Sequence, residues 1–471
     1  MTTERTLVAG VDSSTQATKV VVCDAHTGEV LRTGRADHPD ATEVHPQVWW
    51  EALRTATDGI LDGVAAIGIA GQQHGMVTVD EAGEPVRPAL LWNDTRSAAA
   101  ATGLTAELGG PEFWARTIGS VPVASFTISK LRWLAEHEPE LADRVARVML
   151  PHDWLTWRLL GQPGEAVTDR GDASGTGYFD PASGQYRPDL LATAFGGRTP
   201  ALPRVLGPAQ PAGYTESGLL VSAGTGDNMA AGLALELGPG DVVISLGTSG
   251  TVFGVADRPA ADPSGAIAGF ADATGRFLPL VCTLNAARVL TATADLLGVD
   301  LADIDRLALT AEPGAAGLSM LPYLDGERTP NLPTSTASLH GMTRDNMAPE
   351  NLARAAVEGM LSGLAAGLDA LRAHDVPVRS VRLIGGAAQS ASVRAAAPSV
   401  FRVPVRIPPA AEYVAVGAAR QAAWALSGAE APPRWQGAEL VELPEPTEAE
   451  LAAGEWLHQR HIAERNRMYG V

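Results

Sequence analysis

Asp227 stands in the segment SAGTGDNMAAG, an acidic side chain in a glycine-rich turn just ahead of residues with helix-forming character. A carboxylate so placed can act as a general base aimed into a cleft, and the Asp227-Asn228 pair can equally be an N-cap or Asx-turn device. A second polar cluster, Gln72, Gln73 and His74 in AGQQHGM, closes a run of apolar, strand-forming residues. Amide and imidazole groups at a strand end suit the hydroxyls of a sugar or polyol, while a lone histidine beside apolar sequence can also be purely structural. Two further constellations are tips of small polar residues: Asp12 to Thr15 in VDSSTQATK, and Gly247-Thr248-Ser249 in SLGTSG. Small residues let successive backbone N–H groups approach phosphate oxygens closely. Asp12 can hold a hydrated Mg2+, which takes one or two carboxylates together with phosphate oxygens. An ordinary hairpin is the alternative at either tip.

The lysine count narrows the phosphate chemistry. Lys19 and Lys130 are the only lysines among 35 basic side chains, the other 33 being arginine. A Walker A loop requires GxxxxGK[ST], but Lys19 is followed by Val20 and Lys130 by Leu131. The lysine strand and HRD-type loop of protein kinases are also missing. Any nucleotide must therefore be held by backbone amides, hydroxyls, a metal ion and arginine.

These residues need elements to position them. LVAGVDSSTQATKVVVCDAHTGEVL alternates apolar residues at strand period, breaks between Asp12 and Thr15, and resumes, which predicts a β-hairpin followed by a third strand. VVISLGTSGTVFGVADRP repeats the design near residue 242; laying Thr15 on Thr248 puts Ser14 on Gly247, Thr18 on Thr251 and Val20 on Phe253. Two such tips about one domain apart suggest two related α/β domains facing each other. Residues 63–78 read as strand, polar loop and strand. Residues 126–138 and 139–148 read as helical, and HDWLTWRLLG as a helix ending at Gly161. The long stretch 347–374 has apolar residues at helical spacing and leads into the buried strand and glycine turn of VRSVRLIGGAAQS. Residues 428–446 are rich in Pro and Glu and read as a connecting loop. Thr447 and Glu450 then form a capping-box pattern that starts a terminal helix to about Met468.

Composition excludes several classes. The chain has 471 residues, 54 acidic against 35 basic side chains and a formal charge of -19. Such a balance argues against a nucleic-acid partner or an anionic membrane surface, both of which need a basic footprint. Cys23 and Cys282 sit apart in apolar contexts without CxxC spacing and read as buried free thiols. No basic n-region leads into an apolar stretch at the N-terminus, and no apolar run approaches the ~18 residues of a membrane span. The expectation is a cytoplasmic protein.

The sequence resembles the FGGY family of carbohydrate kinases. SFTISKLRWLAEH, with Lys130, and ASLHGMTRDNMAPENLARAAVE fit that family's two signature patterns throughout, and GVDSSTQATK, IAGQQHG, LWNDTR, LPHDWL, GTGDN, SLGTSG, LPYLDGERTP and LIGGAAQS extend the likeness over nearly the whole chain. The GQQHG, WNDTR and LPYLDGERTP segments are nearest those of members that phosphorylate D-xylulose. The resemblance implies an α/β fold of two ribonuclease-H-like domains, of actin and hexokinase type, with a ligand cleft between them. The expected domains are 1–235, carrying the sugar site, and 236–430, carrying the nucleotide, with 431–471 a linker and terminal helix. The implied substrates are ATP and D-xylulose, with Mg2+, and a homodimer is common among similar proteins. By motif, the resemblance makes Asp227 the catalytic base and sets Gln73, His74, Asp227 and Asn228 at the ketose. It assigns Asp12 to the metal, Thr15 and Gly247-Thr248-Ser249 to the ATP phosphates, and Gly385 and Gly386 to the adenosine. L-ribulose, another pentulose or a pentitol are alternative acceptors, and a chaperone-like ATPase of the actin superfold is the alternative of another class. Two positions depart from the family pattern: Ser14 and Ala387 stand where glycine is usual.

Overall fold

The structure is a computed structural model and describes residues 5–435 and 439–470. The first sheet begins with β1 (Leu7–Ser13), β2 (Ala17–Asp24) and β3 (Val30–Asp37), an antiparallel meander. All seven residues of β1 are buried, so its apolar run has no solvent face. β4 (Val64–Gly71) lies parallel to β1 on the other side. Beyond it come β5 (Pro211–Tyr214) and β6 (Leu220–Ser222), and the two-residue β7 (Thr225–Gly226) pairs with the end of β4, giving the order β5-β6-β4-β1-β2-β3.

The second sheet repeats this plan. β8 (Gly240–Leu246), β9 (Gly250–Gly254) and β11 (Phe277–Thr283) form the antiparallel meander, with β10 (Ala268–Ala271) at its edge. β12 (Val378–Ile384) lies parallel to β8, β13 (Val405–Ile407) parallel to β12, and β14 (Val441–Glu442) closes the other edge. The expected duplication is therefore present as matching sheet order. Its register differs by one residue from the ungapped alignment. Asp12 pairs with Lys19 and Ser13 with Thr18 around a four-residue tip, whereas Ser245 pairs with Thr251 and Leu246 with Gly250 around three residues. In the second strands Lys19 thus matches Thr251 and Val21 matches Phe253.

The helices that matter for the site are α1 (Thr127–His137), α2 (Pro151–Leu159), α3 (Asp227–Ala234), α4 (Pro349–Ala373), α5 (Tyr413–Ser427) and α6 (Glu448–Tyr469). α4 buries Val357, Met360, Leu361, Leu364 and Leu368 in the core of the second sheet. α5 follows β13 of the second sheet in the chain but packs against the first, before the chain returns to the second at β14. A Cβ on Gly10 would lie 1.9 Å from the Ala415 carbonyl oxygen, and one on Gly417 1.9 Å from that of Ala230 on α3. Only glycine allows that approach, and Ala415, Ala419 and Ala422 complete a thin, fully buried seam under β1 and β4. The helix thereby ties the second sheet's chain to the floor of the first.

Two expectations for connecting segments change. Only Pro139–Ala142 of the stretch 139–148 is helical; Arg147–Met149 is a strand paired with Val77–Val79. The β-branched Val148 is fully packed there, and a free strand edge outweighs weak helical preference in so short a run. The segment 428–446 includes β14, paired with Arg406 and Ile407, as well as loop; Gln436 to Ala438 fall outside the described residues. The capping box is formed as expected, with the Glu450 amide donating to Thr447 Oγ1 at 3.3 Å and the Thr447 amide to Glu450 Oε2 at 2.7 Å.

Candidate active site

Parallel pairing carries the predicted residues to one edge of the first sheet. Ser13 at the end of β1 lies beside Gly71 at the end of β4, and Gly226 at the end of β7 lies on Gly71's other side. The chain leaving each strand therefore delivers the first tip, the Gln72-Gln73-His74 cluster and Asp227 to the same place. Such clustering at the carboxyl ends of parallel strands is the usual position of ligand sites in open α/β sheets.

Asp227 is the first residue of α3, and the N-cap is Gly226. Its Oδ1 accepts hydrogen bonds from the Asn228 amide at 2.7 Å and from Asn228 Nδ2 at 2.8 Å. Asn228 Nδ2 also donates to Gln73 Oε1 at 3.2 Å, which links the acidic turn to the polar strand end. Burial pushes the Asp227 carboxyl up to about 6, against the pull of these hydrogen bonds. The Nε2 group of Gln73 is buried without a partner among the described residues, so a donor is left for a ligand.

His74 has a left-handed backbone, φ 67°, unusual for a residue with a Cβ. Its Nδ1 donates to the Gly175 carbonyl at 2.6 Å, and its ring stacks on Phe126 at 4.8 Å. Phe270, from β10 of the second sheet, lies 5.6 Å away and brings the two halves together over this residue. Burial pushes the imidazole down to about 3, with the cations Lys130 and Arg328 adding to the effect.

Asp12 is buried, and its Oδ1 has no partner among the described residues. Its Oδ2 lies 4.0 Å from Lys19 Nζ, which also meets Glu412 at 2.7 Å, just before α5. Burial raises the Asp12 carboxyl to about 7; Lys19 opposes this, and Asp227 and Glu412 add to it. An orphaned carboxylate oxygen near a second carboxylate is the donor set that a phosphate-bound Mg2+ fits. Lys19 is a member of the site that residue type alone does not reveal. A Walker loop is recognised by the residue after its lysine, whereas the signal that places Lys19 against Asp12 is the register of β1 on β2.

Thr15 Oγ1 accepts a hydrogen bond from Trp92 Nε1 at 2.9 Å, so the WNDTR segment braces the first tip. Within that segment Asp94 and Arg96 form a brace of their own, Nε to Oδ1 2.9 Å. Ser14 closes the tip with its hydroxyl on the Ala17 carbonyl at 2.8 Å and is not among the positive-φ residues, and neither is Ala387. Neither replaced glycine stands where a side chain would be strained. Gly247 and Thr248 are exposed, as are Gly385 and Gly386. The parallel pairing of Ser245 with Ile384 puts the second tip beside that glycine turn. A Cβ on Gly385 would strike the Leu246 carbonyl at 2.5 Å, whereas Gly386 faces open space.

Behind the site His152, from LPHDWL on α2, packs against Gly71 and Gly224, so that a Cβ on Gly224 would lie 2.5 Å from its ring. Its Nδ1 lies 2.7 Å from Asp172 and its Nε2 3.3 Å from Asp153. Burial alone would depress this imidazole, but Asp153, Asp172 and Asp169 outweigh it and push it up to about 9. Asp169 in turn accepts from Thr225 Oγ1 at 2.9 Å, in the strand that precedes Asp227. The pattern of the sequence gives no sign of this ionic group, because its members come from three separate segments.

Two ribonuclease-H-like sheets of matching order, with a carboxylate at the first sheet's strand ends, define the actin and hexokinase type of phosphotransferase. The chain belongs to the FGGY family of carbohydrate kinases: its N-terminal domain profile matches residues 7–235 and its C-terminal domain profile residues 242–426. A xylulose kinase from Streptomyces coelicolor is 48% identical over 445 residues, covering 91% of this chain and 90% of that protein. The crystal structure of a xylulose kinase from Bifidobacterium adolescentis superposes with a TM-score of 0.89 at 45% identity, covering 96% of this chain and 99% of the other. A gluconate kinase from Lactobacillus acidophilus superposes as well, TM-score 0.90, at 22% identity over 99% and 98% of the two chains. The fold is thus common to kinases of different sugars, and the acceptor must be read from side chains.

Proposed function

We propose that this chain transfers the γ-phosphoryl group of ATP to the 5-hydroxyl of D-xylulose, giving D-xylulose 5-phosphate and ADP. The observation that carries the reading is the Asp227–Asn228–Gln73 link, a carboxylate hydrogen-bonded into a polar strand end at the carboxyl edge of the first sheet. Its likeness to xylulose kinases at 48% and 45% identity supports the choice of sugar. In this reading Asp227 accepts the proton of the attacking hydroxyl, a role worth typically ~10² to 10⁴-fold. Gln73, His74 and Asn228 hold the ketose so that this hydroxyl points at the γ-phosphorus. The amides and hydroxyls of Thr15 and of Gly247-Thr248-Ser249 take the phosphates, and Gly385 with Gly386 lets the adenosine approach the backbone. Asp12 would hold Mg2+, whose contribution is to offset the charge of the β- and γ-phosphates. Residues 1–235 form the sugar domain, 236–430 the nucleotide domain, and closing them on α5 excludes water, the competing acceptor.

The test is an ADP-release assay across D-xylulose, L-ribulose, pentitols and glycerol. Strong stimulation by D-xylulose alone is expected; a larger response to another acceptor reassigns the substrate, and sugar-independent turnover favours a chaperone-like ATPase. Asp227→Ala is expected to keep ATP and sugar binding while losing at least ~10²-fold in kcat. Near-normal turnover in that variant removes Asp227 from the chemistry.

A further inference from the structure

We propose that Lys130 is a positioning residue for sugar recognition: its side-chain amine holds the His74 carbonyl, fixes that residue's left-handed backbone, and so presents His74 Nε2 to the sugar as a hydrogen-bond acceptor. The inference rests on the reading of His74 as a ketose contact and adds which atom makes the contact and in which sense.

Lys130 lies on α1 and is fully buried. Its Nζ donates to the His74 carbonyl at 2.9 Å and to the Ser125 carbonyl at 2.5 Å. Thr127 Oγ1 reaches the same His74 carbonyl at 3.2 Å. Two donors on one carbonyl hold a peptide unit that the left-handed φ would otherwise let relax. The chain supplies arginine at 33 of its 35 basic positions, so lysine at 130 marks a site where arginine does not serve. A guanidinium would bring five donors in a rigid plane between two carbonyls, leaving buried N–H groups unpaired, whereas a slender amine fits. Burial pushes this amine down to about 7, opposed by Asp94.

The ring's hydrogen bonds fix the sense of the contact. The Gly175 carbonyl can only accept, so His74 Nδ1 carries the proton. The charged groups acting on the ring are Lys130 on α1 and Arg328 after β11, both cationic, and aromatic rings cover it from α1's start and from β10. The imidazole is therefore neutral, and its Nε2 carries a lone pair and no proton. Such an atom accepts from a sugar hydroxyl and repels a carboxylate or carbonyl oxygen. The site reads an O–H at this point of the substrate.

The experiment has two arms. Lys130→Met is expected to raise KM for D-xylulose by ~10-fold or more, with KM for ATP and kcat within ~3-fold of the unaltered enzyme. An unchanged sugar KM in that variant overturns the proposal, as does an equal rise in both KM values. The second arm is read on the unaltered protein: ¹⁵N NMR of imidazole-labelled protein without sugar, with the His74 ring assigned by its proximity to the Phe126 and Phe270 rings. A protonated Nδ1 and bare Nε2 from pH 8 down to pH 5 are expected; an imidazolium or the opposite tautomer at pH 7 overturns the proposal. His74→Ala separates the two levels. If it leaves sugar KM unchanged the ketose contact itself fails, and if it raises KM while Lys130→Met does not, only the role of Lys130 fails.

Discussion

In the first sheet Asp12 faces Lys19 across the β1–β2 ladder; at the matching place in the second sheet the pair is Ser245 and Thr251. The first tip has four residues, tied by Ser14 to Ala17 and by Thr15 to Trp92. The second has three, two of them exposed glycine and threonine. One plan has thus been filled in two ways. The first sheet keeps charge at its strand ends, Asp12, Lys19 and Asp227, at the cost of buried carboxyls held well above their usual range. The second keeps none in its tip and offers backbone. Phosphoryl transfer asks for both: groups that handle a proton and a cation, and amides that cradle phosphate at no cost in desolvated charge.

The largest expected effect comes from removing that asymmetry. Asp12→Ala should lower kcat by ~10²-fold or more, as for loss of a group that stabilises transition-state charge. Ser245→Ala, at the equivalent position, should change kcat by less than ~3-fold. Because Asp12 Oδ1 is buried without a partner, the alanine variant should melt at the same temperature or higher, so the loss cannot be laid to unfolding. Comparable kcat losses in the two variants would erase the distinction between the tips.

A smaller effect, graded by pH, sharpens the comparison. As the proposed base, Asp227 must be ionised to accept a proton, and burial holds it at about 6. Above pH 8 Asp227 and Asp12 are both charged and kcat/KM for the sugar should be flat; below pH 6 Asp227 is protonated and kcat/KM should fall ~10-fold per unit or more. Gly247, Thr248 and Ser249 have no group that titrates in this range, so a change in KM for ATP between pH 5.5 and 8 should trace to Asp12, held at about 7, and shrink in Asp12→Ala. An ATP KM that still climbs as pH falls in Asp12→Ala would mean that the second tip depends on a titrating neighbour.

Much of the fold was legible because strands and tips are local. The period-2 runs around Asp12 and Thr248 and the Thr447–Glu450 capping box needed only neighbours in sequence to be read, and they are found within a residue or two of their expected bounds. Legibility failed where partners come from afar. Residues 147–149 became a strand because Val77–Val79 offered an edge, and α5 packs under the first sheet because Gly10 and Gly68 leave room for it. For the site, residue type pointed to Asp227, Gln73 and His74, while Lys19, Lys130 and His152 were invisible as participants. Each acts through a contact at a separation in sequence that no spacing rule covers: Lys130 with His74, His152 with Asp172, Lys19 with Glu412.

The smallest predicted effect concerns the residue that departs from the family pattern. Glycine is usual at position 14 where this chain has serine, and a backbone that required left-handed φ would make serine costly there. Ser14 has no such φ; instead its amide and hydroxyl both bond the Ala17 carbonyl, at 3.0 and 2.8 Å. The side chain therefore does locally what glycine's freedom does not, pinning the tip from inside. Ser14→Gly removes one hydrogen bond and adds unfolded-state entropy, and each effect is worth about 0.5–1 kcal/mol. The variant should melt a few degrees lower, with KM for ATP within ~2-fold, since the amides themselves are untouched. A Ser14→Gly variant that melts higher, or binds ATP ~10-fold more tightly, would show the serine to be a strained substitute, and the first tip would then resemble the second in working through glycine-permitted backbone alone.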